Sequence, residues 1–158
     1  MILAAYRDTP YNIVLFLHIM FVVIAFAPAF VNPILDRRMT DIDQGAAAAV
    51  RSFQAMSTQR IHAPALLLAG LLGFGLIGMS GDPGGGDTSV YSMSDSWVVT
   101  AMVVWIAMNG VLHGLLYPAE RSYGTGDRAA KSKVEVGGII LTLLLLVMVY
   151  LMVFRPGA

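Results

Sequence analysis

The sequence predicts an all-α protein: a four-transmembrane-helix bundle with both termini outside and a cytoplasmic amphipathic helix between spans one and two. Three observations carry that expectation. Of the 158 residues, 57% are hydrophobic and 13% are charged, whereas a soluble domain carries about 25% charged residues. Four stretches, residues 9–35, 61–81, 96–119 and 136–154, contain no Asp, Glu, Lys or Arg, and each can cross a hydrocarbon core of about 30 Å at about 1.5 Å per helical residue. The basic residues alternate: Arg37, Arg38, Arg51 and Arg60 follow span one, none follows span two, and Arg121, Arg128, Lys131 and Lys133 follow span three. Because Lys and Arg favour the cytoplasmic side, the first and third connections are expected there. Arg7 and Arg155 are single charges on the other side.

The spans are expected at about 10–31, 61–79, 96–117 and 134–154. Span one opens with Thr9 as N-cap and Pro10 at the first helical position, where a missing N–H costs nothing, and closes near Pro28 to Pro33. Its apolar run exceeds the 7–15 residues of a signal-peptide core, so it is expected as a retained anchor. Between spans one and two, a helix capped by Thr40 or Asp41 places Ile42, Ala46, Ala49, Phe53 and Met56 on one face. That face is expected against the bundle or the lipid surface, with Arg51, Gln54 and Arg60 directed away from it. Span two ends in the glycine-rich residues 81–86. Ser94 or Asp95 caps span three, which leaves at Tyr117-Pro118; span four stops at Arg155-Pro156-Gly157.

Composition removes several functions. Net charge is zero, so no general attraction to nucleic acid exists, and the glycine-rich loop lacks the Lys-Ser/Thr of a phosphate-binding loop. With no cysteine, thiolate chemistry, iron–sulfur clusters and Cys-based zinc sites are out. The spans hold no ionisable carboxylate or amine, which argues against a charge-translocating transporter. The polar candidates inside them are His18, His62, Asn109 and His113, with Thr100 and Thr142 as lesser candidates.

In span three Trp105, Asn109 and His113 share one stripe, and Gly110 and Gly114 form a GxxxG beside it. Such glycines let a second helix approach, and Ala69, Gly70, Gly73 and Gly75 of span two supply a matching surface, with Asn109 as an interhelical bridge. The histidines admit a different reading, haem b, which needs imidazole at the right depth. His18 lies roughly 10 Å and His113 roughly 24 Å from the outer ends of their spans, so they do not share an iron; His62 with His113, or His18 alone, remain as ligand sets. Met20, Met79 and Met93 lack the repeated spacing of a Cu(I) site and read as apolar filler.

Residues Leu15, Phe16, Leu17, His18, Ile19 and Met20, followed by the Pro28 to Pro33 exit, resemble the first helix of uncharacterised four-helix bacterial membrane proteins. More distantly they are similar to copper-resistance D-type proteins and to the membrane type of protoporphyrinogen oxidase. The oxidase resemblance implies haem at His18 together with an intramembrane lysine, and no span here contains lysine. The expected function is therefore a small structural or accessory component of the bacterial inner (plasma) membrane, without catalysis of its own. Its expected partners are the lipid bilayer and either membrane proteins or a second copy. A haem-b-binding protein is the alternative, and a small-solute or metal permease the third reading.

Overall fold

The computed structural model describes residues 9–39, 42–81 and 90–157, and every regular element among them is helical. Helix α1 spans Thr9–Arg38. Helix α2, Gln44–Ser57, continues through a π turn, Thr58–His62, into α3, Ala63–Gly78. Helix α4, Ser96–Val111, continues through a second π turn, Leu112–Leu116, into α5, Tyr117–Gly124, and α6 spans Ala130–Phe154. The result is four continuous helices of 30, 35, 29 and 25 residues, each long and apolar enough to cross a membrane. At about 1.5 Å per residue the shortest measures about 37 Å, so every helix outruns the hydrocarbon and the bundle carries polar extensions beyond it.

Several expected helix ends are overrun. Helix α1 does not close at Pro28 or Pro33 but runs to Arg38. Span three does not leave its helix at Pro118, which lies inside the continuous helix at the start of α5. Proline lacks an N–H and its ring presses on the carbonyl four residues back. In two helices the chain meets this by widening: the Ala63 N–H bonds the Thr58 carbonyl and the Tyr117 N–H bonds the Leu112 carbonyl, each five residues back. In each case the closing N–H belongs to the residue immediately before a proline, Pro64 or Pro118.

Thr40 and Asp41, the expected caps of α2, lie outside the described residues. The cap is Asp43, whose carboxylate accepts from the N–H groups of Gly45 at 2.9 Å and Ala46 at 3.2 Å. The face of α2 is also reversed relative to one expectation. Ile42, Ala46, Ala49, Phe53 and Met56 are all exposed, whereas Ala47, Ala55 and Thr58 are buried and Arg51 and Gln54 half-buried. Arg51 and Gln54 turn inward because acidic groups of the neighbouring helices lie there, and the small residues permit close packing on α5. A Cβ at Gly124 would stand 3.2 Å from the Ser52 backbone.

Helix α1 packs mainly on α3, and α4 on α6. Phe26, Leu66, Met108, Leu112 and Leu141 fill the common core. The small residues of span two are seats for large side chains. The Trp105 indole occupies the space a Cβ at Gly70 would take, and the His18 ring lies against Gly73, 3.4 Å from where its Cβ would be. Gly110 and Gly114, expected to meet span two, instead face open space. At about 100° per residue Gly110 points roughly 140° away from Trp105 around α4, so a helix that turns Trp105 toward α3 cannot turn Gly110 there as well. Phe16, Ile106 and Leu146 are each more than 60% exposed, a perimeter suited to lipid and costly in water.

At the end of the bundle opposite the basic connections, Tyr91 meets Trp97 edge to face at 5.4 Å, and the Arg155 guanidinium lies 4.7 Å from the Tyr91 ring centre and donates to its hydroxyl. Ser80, 1% exposed, donates to the Ile77 carbonyl at 2.7 Å and accepts from the Tyr91 N–H at 3.1 Å.

Gly70→Ala places a methyl group inside the Trp105 indole and is expected to lower stability by about 1–3 kcal/mol. Gly110→Ala meets nothing and should leave stability unchanged or raise it by up to about 1 kcal/mol through helix propensity. Thermal unfolding in detergent compares the two; equal losses would contradict the seat at Gly70.

Candidate functional site

Inside the spans, three ring N–H groups reach backbone carbonyls of a neighbouring helix. The His18 Nδ1 bonds the Ala69 carbonyl at 2.8 Å, joining α1 to α3. Trp105 Nε1 donates to the Leu66 carbonyl at 3.0 Å, joining α4 to α3, and its ring meets Phe74 edge to face at 5.7 Å. His62 Nδ1 bonds the Ile24 carbonyl at 2.6 Å, joining the first π turn to α1. A carbonyl can only accept, so Nδ1 carries the hydrogen in both histidines.

The His62 contact has a specific cause. In an unbroken α-helix the Ile24 carbonyl would accept from residue 28, and residue 28 is proline. His62 supplies the donor that Pro28 cannot, which is how α1 continues past that proline. The second His62 nitrogen, Nε2, is 2.8 Å from the Ser57 hydroxyl. Both ring nitrogens are therefore engaged, and an axial bond to iron from either would require breaking one of these hydrogen bonds. His113, the other half of the expected pair, is exposed on the second π turn. His18 differs: with Nδ1–H held by Ala69, its Nε2 keeps a lone pair, the arrangement by which a carbonyl orients a ligating imidazole.

Asn109 is not an interhelical bridge. Its Nδ2 donates to the Trp105 carbonyl of its own helix at 2.9 Å, and its Oδ1 is buried without a partner. Thr100 and Thr142 likewise bond back to their own helices, to Ser96 at 2.7 Å and Gly138 at 2.9 Å.

The most concentrated polar group lies outside the charge-free segments, at the end that carries the basic connections. Asp36 from α1, Arg51 and Gln54 from α2, Thr58 from the first π turn, and Glu120 and Tyr123 from α5 converge there. All but Thr58 line a cavity of about 10 Å³. The Arg51 guanidinium stacks 4.4 Å from the Tyr123 ring centre. Glu120 is 5% exposed; Thr58 bonds its carboxyl, while Oε2 has no partner. Burial pushes the Glu120 carboxyl up to about 7, assisted by the Asp36 charge and opposed by the Thr58 hydrogen bond. Burial also raises Asp36, against Arg51 and a hydrogen bond from Gln54.

None of this cluster was among the candidate site residues read from the sequence, and Arg51 and Gln54 were expected to face away from the bundle. The available signal was weak: Asp36 and Glu120 are the first acids beyond the apolar runs of spans one and three. Among the described residues no group of three His, Cys, Asp or Glu side chains is placed to hold a metal ion.

No protein-family model, curated protein or solved structure matches the chain. The class is defined by the fold itself: four apolar helices of spanning length describe a multi-pass helical membrane protein.

His62→Ala is expected to cost about 1 kcal/mol. In a Pro28→Ala background the restored N–H of residue 28 can bond Ile24, so the same substitution should cost distinctly less. A double-mutant cycle of unfolding free energies reads the difference; additive losses would show that the two residues are not coupled.

Proposed function

We propose that the protein is a small structural or accessory component of a bacterial inner (plasma) membrane, with no catalytic activity of its own. The observation that carries this reading is the use of the polar rings inside the spans: His18, His62 and Trp105 each donate to a carbonyl of an adjacent helix. They act as fasteners between helices, which supports a packed body over a solute pathway. Its partners are the lipid bilayer and, through lateral helix contact, other membrane proteins or a second copy. The basic connections face the cytoplasm and both termini face outside, on the strength of the Lys and Arg distribution. In that orientation Phe53 and Met56, exposed on α2, enter the cytoplasmic lipid interface as the apolar face of an amphipathic helix.

The alternative is a haem b protein, and its one favourable observation is the free Nε2 of His18. An absorption spectrum of protein expressed with ample haem separates the two. The accessory reading expects a colourless preparation; a Soret band that disappears in His18→Ala would replace it with haem binding.

The orientation has its own test, made simple by the lack of cysteine. Ser94→Cys and Arg128→Cys occupy exposed positions at opposite ends of the bundle. With an impermeant thiol reagent on intact cells, the first is expected to label and the second only after permeabilisation; the reverse result inverts the topology.

A further inference from the structure

We propose that Asp36, Glu120 and Arg51 form a proton-binding site at the basic end of the bundle, built around one water and holding one proton between two carboxylates. Its walls come from all four continuous helices: Asp36 from the first, Arg51 and Gln54 from the second, Glu120 and Tyr123 from the third, and Val134 from the fourth.

Size and charge define the ligand. The cavity, about 10 Å³, is at the lower limit for a single water, and an organic molecule does not fit. A metal ion is disfavoured because the Arg51 guanidinium faces the same space. Two buried atoms of its lining residues lack partners, Glu120 Oε2 and Arg51 Nε. One water answers both, accepting from the Arg51 N–H and donating to Oε2 when Glu120 is ionised, or accepting from Glu120 when it is protonated.

The charge balance explains why a proton is held. With both carboxylates ionised, the buried Glu120 and the half-buried Asp36 place two negative charges beside one guanidinium. Protonating Glu120 leaves Asp36 and Arg51 as a neutral pair, and carboxylates that share a site do not ionise independently. The other facing groups do not alter this. Gln54 and Thr58 are neutral hydrogen-bonders, and Tyr123 supports Arg51 through its ring face. From α6, Lys131 lowers Asp36 and Glu135 raises it; these two pair with each other at 3.6 Å and are more than half exposed, so water screens them. In the binding step the proton leaves a hydronium ion or buffer acid in solution at the basic end, and a new O–H bond forms on the Glu120 carboxyl. No electron moves.

The bound proton is linked to the fold. Glu120 holds its proton up to about 7, against 4.5 for a free glutamic acid. Between those values the folded chain retains a proton that the unfolded chain has released. The stability this gives is full below 4.5 and is lost as pH rises through 7. Deprotonation leaves a second anion opposite Asp36, at the junction where α1, α2 and α5 meet.

Infrared titration of the full chain in phosphatidylcholine vesicles tests the site through the C=O stretch of a protonated carboxyl group. The expected result is one such band that disappears with a midpoint near pH 7, is absent from Glu120→Gln, and moves to lower pH in Asp36→Asn. Thermal unfolding supplies a second readout: the wild-type midpoint should fall as pH rises from 5 to 8, and Glu120→Gln should flatten that slope. The proposal is overturned if the wild-type protein shows no acid band at pH 6, or if the band keeps its midpoint in Asp36→Asn. If Glu120→Gln does not fold, the wild-type and Asp36→Asn titrations still decide.

Discussion

A backbone carbonyl inside hydrocarbon must have a donor, and prolines in the membrane helices of this chain put that requirement under strain. Lipid supplies no hydrogen bond, so each carbonyl deprived of its partner has to be served by protein. At Pro28 the remedy is a side chain: His62 reaches across to the Ile24 carbonyl. Around Pro64 and Pro118 the backbone itself adapts, widening so that the N–H just before each proline bonds the carbonyl five residues back. Much of the bundle follows from these repairs. The first tethers α1 to the start of span two, and the others let the helices of spans two and three continue beyond the apolar layer, where α2 and α5 meet.

The bundle is joined by different chemistry at different depths. In the middle, aromatic and imidazole N–H groups sit in notches left by Gly70 and Gly73. At one end an arginine on a tyrosine face closes α6 against the segment before α4. At the other end, carboxylates, a guanidinium and a tyrosine converge on one small cavity. Close packing by glycine and polar fastening by ring nitrogens are both suited to a medium in which burying apolar surface gives no driving force between helices.

How far the sequence was legible follows from how local each signal is. Charge-free runs report on solvation residue by residue, and they located all four spans. Helix ends were less legible, because proline is a local signal to stop and the donor that overrides it at Pro28 is 34 residues away at His62. The stripe of Trp105, Asn109 and His113 was visible, but which side of span three would meet span two was not, since that depends on the size match between an indole and Gly70. Asp36 and Glu120 went unnoticed because charges at the end of an apolar run are normally solvated. Their burial depends on α2 turning Arg51 and Gln54 inward, against its own hydrophobic periodicity.

The two π turns also set the rotational phase of everything beyond them. One extra residue in a helix turns all subsequent side chains by about 100° relative to those before it. Below His62 and Leu116, therefore, the side of each helix that faces its neighbours is not the continuation of the side that does so within the apolar layer. A chain one residue shorter at either position would keep its apolar spans unchanged while swinging Arg51 or Glu120 by more than a quarter turn away from the other. The meeting of those two residues is thus governed by a count of residues, to which the composition of the spans is indifferent.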